Sequence, residues 1–249
     1  MSATQTATRE QWVAAREELL TREKELTRME DELARRRREL PRVRMEKGYT
    51  LQTADGPMTL AELFDGRSQL AIYHFMFGPS YSAGCPTNSS IADSIDGLIP
   101  HLMARDVTMI CVSRAPIEKL LAYQQRMGWS FNWASSYESD FNLDFGMSFS
   151  EESIRESLAS RLNELPRIAH QNAASSGTDI FGYLSEMFGF NTFALEDGAV
   201  YHCYSTTGRG VEFVMGYYPI LDRMPKGRDE GRDFQTWLRR HDEYESEIR

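Results

Sequence analysis

The run QLAIYHFMF at residues 69–77 is nearly all apolar, and turn-forming residues flank it. A continuous apolar run between turns is typical of a strand buried on both faces of a parallel sheet. A second such run, VTMICVS, occupies residues 107–113, after a stretch with helical spacing of apolar residues at 88–105. The order strand, helix, strand predicts a right-handed parallel crossover. We therefore expect an α/β fold built on this unit.

A loop at residues 78–86 joins the first strand to the helix, and it contains Cys85. A thiol at a helix N-terminus lies near unpaired N–H groups and the positive end of the helix dipole, which favour the thiolate. Sites of open α/β sheets also form in loops at the carboxyl ends of strands. Cys85 is therefore the candidate nucleophile, and Ser82 is a candidate hydrogen-bond donor to it. The alternative is that Cys85 is only a small residue in a tight loop.

Two arginines are candidates for electrostatic help to a thiolate or for binding an anionic substrate. Arg114 follows the second strand, so we expect it at the same sheet edge as Cys85, and Arg209 lies between two glycines. Each has a solvated-surface alternative. His74, on the first strand, is either a neighbour of the thiol or a buried core histidine. Cys111, within an apolar run, and Cys203 are interpreted as packing residues.

Residues 9–40 are predicted to form one long helix that Thr8 and Gln11 begin with a capping box. Apolar residues recur along it at seven-residue intervals: Trp12, Leu19, Leu26, Leu33 and Leu40. So narrow a stripe suits an arm lying on another surface, in this chain or in a partner. We therefore predict a helical arm at 1–41 and a homodimer formed through it. The arginines at 35–38 indicate a solvated helix end or, alternatively, a contact with an anion or a nucleic acid.

The remaining chain, 42–249, is predicted to be a single domain. Asp197-Gly198 between two apolar stretches is a strong hairpin signal. Residues 148–190 are interpreted as a helical insertion that opens with a capping box and runs as a helix to about 165. The other expected elements are a strand at 49–53, a short helix at 59–64, a helix at 116–127, an irregular aromatic stretch at 129–147 and a final helix at 229–244.

Composition excludes several classes of function. The net charge of −9 argues against a protein that binds the phosphate backbone of nucleic acids. No stretch approaches the roughly 20 apolar residues of a membrane helix, and the polar start lacks the apolar part of a secretory signal. Three scattered cysteines suit a reducing compartment, so we expect a cytoplasmic protein. No histidine and cysteine spacing indicates a metal site, and no motif indicates a cofactor.

Three segments carry a resemblance to a known family: LPRVRMEKGYTL at 40–51, LAELFDGRSQLAIYHFMFGPSYSAGCP at 60–86, and VYHCYSTTGRGVEFVMGYYPILDRMPKGRDE at 200–230. They closely resemble an uncharacterised bacterial thioredoxin-like family whose members are commonly labelled predicted dithiol–disulfide oxidoreductases. That family is related to the alkyl hydroperoxide reductase/thiol-specific antioxidant group. The resemblance covers most of residues 33–245. It implies a thioredoxin-like three-layer α/β fold, to which this chain adds the N-terminal arm and the insertion.

The chain departs from the family at the loop, where many relatives have Cys-Pro-x-Cys. Asn88 replaces the second cysteine, so disulfide exchange within the motif is not available. The spacing of Ser82 and Cys85 is similar to the peroxiredoxin pattern, but Gly78 stands where that pattern has proline. The residues Asn191-Thr192 stand where thioredoxins usually have a proline facing the active site.

These features favour a thiol-dependent oxidoreductase of one-cysteine type, which reduces a peroxide or a disulfide through Cys85. Ser82 would favour the thiolate, Arg114 or Arg209 would help electrostatically, and an external small thiol or a thioredoxin-type reductant would complete the cycle. The alternative is a non-catalytic binding or assembly module that has lost the dithiol motif. A third possibility is a small-molecule pocket formed by residues 129–147 and the insertion.

Overall fold

The computed structural model describes residues 6–231 and 234–244. The chain divides into two compact units, and the boundary along the sequence falls between Pro41 and Arg42. The first unit contains helix α1, Arg9–Arg38, and its predicted capping box between Thr8 and Gln11 is present. Along Arg9–Arg38, all of which is described, no residue is buried. About half of each side chain in the seven-residue apolar stripe is therefore open to solvent: Trp12, Leu19, Leu26, Leu33 and Leu40.

The second unit is built on one eight-stranded mixed sheet. Its strands, in chain order, are β1 Val43–Arg44, β2 Thr50–Thr53, β3 Gly56–Thr59, β4 Gln69–His74, β5 Val107–Ser113, β6 Asn132–Ser135, β7 Gly189–Glu196 and β8 Ala199–Thr207. Their spatial order is β1-β8-β7-β4-β5-β6-β2-β3. The pairs β4–β5 and β5–β6 are parallel, and the other neighbours are antiparallel.

Strands β8, β7, β4 and β5 lie side by side and form the thioredoxin-like centre of the sheet. The two apolar runs of the sequence are the parallel pair, with Tyr73 opposite Cys111. The predicted hairpin is β7–β8, and both Asp197 and Gly198 at its turn have positive φ, as the tight turn requires. This arrangement confirms the thioredoxin-like α/β fold with an N-terminal helix.

Helices surround the sheet, and several of them are short. They are α2 Pro86–Asp96, α3 Ile99–Met103, α4 Ile117–Met127, α5 Phe141–Asp144, α6 Glu151–Leu158, α7 Arg167–Ser175, α8 Ile180–Leu184 and α9 Tyr218–Leu221. Single 3-10 segments occur at Glu62–Phe64, Ala159–Glu164, Gly208–Val214 and His241–Glu243. Within the described residues, no helix is both long enough and apolar enough to cross a bilayer.

The central strands bury both of their faces. Along β4, Ala71 and Tyr73 belong to one hydrophobic cluster, which includes Cys85, whereas Leu70 and Ile72 belong to a second cluster on the other face. Because side chains alternate along a strand, His74 shares the face of Leu70 and Ile72 and lies away from Cys85.

Several predicted boundaries were wrong. The helix expected at 88–105 starts at Pro86 and stops at Asp96, before Gly97, so that α3 is a separate helix. The stretch 129–147 contains strand β6, and the helix expected to reach about 165 ends as α6 at Leu158. The expected helix at 59–64 is the end of β3 followed by a short 3-10 turn.

The final helix predicted at 229–244 is also wrong within the described residues. Asp229 and Gln235 have φ values of 49° and 60°, in the left-handed region that a right-handed helix cannot contain. The segment instead lies irregularly against the domain and buries Leu238 and Arg240. Tertiary contacts therefore decide its conformation, and its charged, periodic sequence does not.

Candidate functional site

Cys85 is the N-cap residue of α2, and Pro86 occupies the first turn, where its missing N–H costs nothing. The Cys85 N–H donates to the Met76 carbonyl oxygen at 3.2 Å. The Cys85 carbonyl oxygen accepts from both the N–H and the hydroxyl of Ser89, each at 2.9 Å. The whole residue is 0% exposed. The backbone thus holds the sulfur at a fixed point beneath the surface.

Two side chains from the predicted insertion contact the Cys85 sulfur. The Tyr183 hydroxyl oxygen lies 3.2 Å from it, and the Asn172 amide nitrogen lies 3.7 Å from it and 3.1 Å from the Thr87 hydroxyl. Burial raises the pKa of Tyr183 well above its usual value, with the nearby sulfur adding to the effect. The phenol therefore keeps its proton and can donate a hydrogen bond to a thiolate.

Asn88, at the position where the family resemblance implies a second cysteine, has a structural role. Its side-chain oxygen accepts hydrogen bonds from the Tyr73 hydroxyl at 2.9 Å and from the Met76 N–H at 3.0 Å. The amide is 1% exposed. These bonds join α2 to β4 and to the residues that follow it. A cysteine there would not supply such an acceptor, because sulfur accepts hydrogen bonds only weakly.

Arg240 is buried beside the Cys85 loop, with only 3% of its surface exposed. Its guanidinium donates to the Gly84 carbonyl oxygen at 2.6 and 3.1 Å, to the Ser175 carbonyl oxygen at 2.9 Å and to the Tyr123 hydroxyl at 2.9 Å. It thereby joins the C-terminal segment to the peptide unit that precedes Cys85. A buried cation held by several acceptors fixes the backbone geometry of the loop.

The serine and arginines predicted to assist Cys85 make other contacts. The Ser82 hydroxyl donates to the Ser176 carbonyl oxygen at 3.2 Å. Arg114 forms an ion pair with the buried Glu186 at 2.8 Å. Burial raises the pKa of the Glu186 carboxyl, although Arg114 and the Ser148 hydroxyl both oppose the shift.

Arg209 lies at the surface, with 79% of its side chain exposed, and pairs with Glu212 at 2.7 Å. His74 is fully buried on the opposite face of the sheet, where its Nδ1 lies 3.2 Å from the Asn142 side-chain oxygen. Burial lowers the pKa of His74 to about 4. It is thus a core histidine, the second of the two expectations.

An apolar pocket of about 320 Å³ adjoins Cys85. Tyr183, Asn172 and Thr87 belong to its wall, so the two side chains that contact the sulfur also face the pocket region. Apolar side chains form most of its lining: Met76, Ile91, Ile168, Ala169, Leu184, Met187, Phe188, Val211, Met215 and Phe234. Glu186, Arg209, Glu212 and Gln235 also line it.

Sequence reasoning missed Tyr183, Asn172 and Arg240. Tyr183 and Asn172 lie 98 and 87 positions beyond Cys85, and Arg240 lies 156 positions beyond Gly84. No local pattern marks such contacts. Among the described residues, no group of three or more His, Cys, Asp or Glu is placed to hold a metal ion.

A family model described as "Bacterial protein of unknown function (DUF899)" matches residues 1–244. No curated protein matches the chain. Solved structures that are similar include a PrxQ mutant from Xylella fastidiosa, with 12% identity, coverage of 69% of this chain and 87% of that chain, and a TM-score of 0.40. Peroxidoxin BcpB from Mycobacterium tuberculosis has 12% identity, coverage of 71% and 92%, and a TM-score of 0.41. The mitochondrial 2-Cys peroxiredoxin from Plasmodium falciparum has 11% identity, coverage of 71% and 90%, and a TM-score of 0.40.

Proposed function

The chain belongs to the bacterial family of unknown function DUF899, and we propose that it is a thiol-dependent oxidoreductase that reduces hydroperoxides through Cys85. The observation that carries the proposal is the convergence of two donors, the Tyr183 hydroxyl and the Asn172 amide, on a sulfur at the start of α2. Such donors stabilise a thiolate, and the thiolate is the nucleophilic form of cysteine.

The proposed reaction balances in three steps. The Cys85 thiolate attacks the distal oxygen of a hydroperoxide ROOH, the O–O bond breaks, and an alcohol ROH leaves after it takes up a proton. Cys85 is now a sulfenic acid. A first external thiol displaces water and forms a mixed disulfide, and a second thiol releases Cys85 and leaves as the external disulfide. Two electrons pass from two thiols to one hydroperoxide.

An external thiol is needed because Cys85 has no second cysteine beside it in the loop. Asn88 occupies that position, Cys111 is buried on β5, and Cys203 is half-buried on β8. A small hydroperoxide is favoured over a protein disulfide because the sulfur lies below the surface. Asn172 and Tyr183 must shift to admit either the hydroperoxide or the thiol. The same burial favours a small thiol over a thioredoxin-type protein as the reductant in a reducing cytoplasm.

The other predicted residues have secondary roles in this proposal. Ser82 holds the loop to the Ser176 carbonyl oxygen, and Arg114 keeps the buried Glu186 carboxyl paired. Arg209 lines the pocket and keeps Glu212 paired at 2.7 Å. Each of the three acts through position or charge, and Cys85 alone forms covalent bonds in the reaction.

The test is a single-turnover measurement of hydrogen peroxide consumption by the reduced full-length protein. We expect a second-order rate constant at least about 10-fold above that of free cysteine, since positioned donors contribute about this much or more. Cys85→Ser should remove the activity, and Cys203→Ser, the matched control at a half-buried thiol, should keep it. A rate equal to that of free cysteine, or activity that survives in Cys85→Ser, contradicts the proposal.

The complete burial of Cys85 favours a second candidate function, that of a non-catalytic binding module. In that role the thiol would be a packing residue in the thioredoxin-like core. The peroxide measurement separates the two functions, because a binding module consumes peroxide no faster than free cysteine does.

A further inference from the structure

The wall of the pocket beside Cys85 includes a buried polar residue, Asn172, that is only partly hydrogen-bonded. The Asn172 side chain is 3% exposed, and its amide nitrogen bonds to Thr87 and contacts the Cys85 sulfur. Within the described residues, its side-chain oxygen has no hydrogen-bond partner. A buried polar atom without a partner destabilises the fold, so native structures rarely leave one in this state.

The rest of the pocket is suited to an apolar part of a ligand. Aliphatic, methionine and phenylalanine side chains form most of its lining, and its volume of about 320 Å³ falls in the range of small-molecule sites. Residues from distant parts of the chain form the wall, including Ile91 of α2, Ala169 of α7, Leu184 of α8 and Val211 of a 3-10 segment. The pocket is therefore part of the folded framework and does not depend on a single loop.

The charged groups of the wall disfavour a charged occupant. The buried Glu186 carboxylate already has Arg114 and Ser148 as partners, at 2.8 and 2.6 Å. A second carboxylate placed here would face this one, and a cation would compete with Arg114. Burying either charge without a partner is expensive.

We propose that this pocket binds a neutral, largely apolar small molecule that has one hydrogen-bond donor, a hydroxyl or an N–H, and that this donor bonds to the Asn172 side-chain oxygen. Asn172 itself belongs to the wall of the pocket. Binding at this site does not require the Cys85 sulfur. The site shares Asn172 with the thiol chemistry, so an occupied pocket also holds one of the two side chains that cover Cys85.

The test is calorimetric titration of the reduced full-length protein with three probes of equal chain length: 1-octanol, octanoate and octylammonium. We expect saturable 1:1 binding of 1-octanol, and affinity at least about 10-fold lower for each charged probe. Binding of the three probes with equal affinity, or no binding of 1-octanol, would overturn the proposal. This comparison needs no variant and is therefore independent of any folding defect.

Variants then locate the site. Asn172→Leu, which keeps the side-chain size and removes the acceptor, should weaken 1-octanol binding about 10-fold. Ala169→Trp should fill the pocket and abolish binding, and Ile168→Trp serves if Ala169→Trp does not fold. The matched controls are Asn163→Leu and Ala174→Trp, at exposed positions of the same region. Unchanged binding in both Asn172→Leu and a folded tryptophan variant would place the ligand elsewhere and refute the assignment.

The outcome is distinct from that of the proposed reaction. If 1-octanol binds as described and peroxide is not reduced, the binding site stands and the oxidoreductase proposal fails. If peroxide is reduced and 1-octanol does not bind, the reverse holds. Each proposal therefore has its own failing result.

Discussion

The Tyr183 hydroxyl lies 3.2 Å from the Cys85 sulfur, although 98 positions of sequence separate the two residues. Burial raises the pKa of this phenol well above its usual value, so the protonated phenol can donate a hydrogen bond to a thiolate. The helices α7 and α8, within the predicted insertion, thereby supply the Asn172 and Tyr183 side chains that contact the sulfur.

Removing this hydroxyl should slow the reaction of Cys85. Tyr183→Phe keeps the ring and its packing against Tyr81 but deletes the donor to the thiolate. We expect the rate constant with hydrogen peroxide to fall about 10-fold, the effect of one hydrogen bond to a charged acceptor. Tyr137→Phe, at a half-exposed tyrosine, is the control and should leave the rate unchanged. An unchanged rate in Tyr183→Phe would mean that the phenol does not act on the sulfur.

Arg240 should hold the Cys85 loop in place. Arg240→Met leaves the Gly84 and Ser175 carbonyl oxygens without this donor, so we expect the free energy of unfolding to fall by about 3 kcal/mol. The loop should also open more often, and Cys85 should react faster with a thiol-labelling reagent in native conditions. Urea unfolding and labelling kinetics measure the two effects. Arg239→Met, at the exposed neighbour, should change neither.

Asn88 should contribute to stability through its two buried hydrogen bonds. Asn88→Ala leaves the Tyr73 hydroxyl and the Met76 N–H unpaired, so we expect a loss of about 2–4 kcal/mol in the free energy of unfolding. Chemical denaturation measures it, with Asn163→Ala at an exposed asparagine as control. A loss below about 0.5 kcal/mol would show that the position tolerates the missing acceptor.

His74 should make stability depend on pH in the acid range. Its pKa is lowered from 6.5 to about 4 by burial, so between these values the unfolded chain binds a proton that the folded chain does not. The free energy of unfolding therefore decreases by about 3 kcal/mol in all as pH falls from about 6.5 to about 4. Above pH 6.5, His74 is neutral in both states and this loss of stability is absent.

The measurement for His74 is the slope of the unfolding free energy against pH. His74→Phe, which can still stack on Phe141, should reduce the slope over this range by nearly one proton. His101→Asn, at an exposed histidine, should leave the slope as in the wild type. Equal slopes in wild type and His74→Phe would indicate that His74 ionises freely in the folded protein.

The half-exposed apolar stripe of α1 supports the proposal that the chain forms a homodimer through its N-terminal arm. Leu26→Glu places a charge in this stripe and should shift the protein towards monomer by at least about 10-fold in dissociation constant. Sedimentation equilibrium measures the shift. Thr21→Glu adds the same charge off the stripe and should leave the association intact, and a wild-type monomer at all concentrations would refute the proposal.

The strongest sequence signals predicted the centre of the fold correctly. Apolar runs at β4 and β5 require burial on both faces, and Asp197-Gly198 allows the positive φ of the hairpin turn, so local chemistry determines these elements. The segment after Asp229 was predicted wrongly because its conformation depends on where Leu238 and Arg240 are buried. A charged periodic sequence carries no information about that distant surface.

The site divides in the same way. The position of Cys85 at the start of α2 follows from the local order of strand, loop, glycine and proline. Its partners Tyr183 and Asn172 do not, because they come from helices whose packing on the loop is set by the whole domain. The sequence left two alternatives open for His74. Strand alternation decides between them only because the structure assigns Leu70 and Ile72 to one face of the sheet.

The bond between Arg240 and the Gly84 carbonyl oxygen also orders events during biosynthesis. A ribosome that adds about 5–20 residues per second makes the two residues, 156 positions apart, with a delay of roughly 8–30 s. Throughout that interval the nascent Cys85 loop lacks its guanidinium partner, and the helices α7 and α8 are completed only partway through it. The thiol is thus more open to oxidants before Arg240 has been made, and the complete site can close only after that residue has been added.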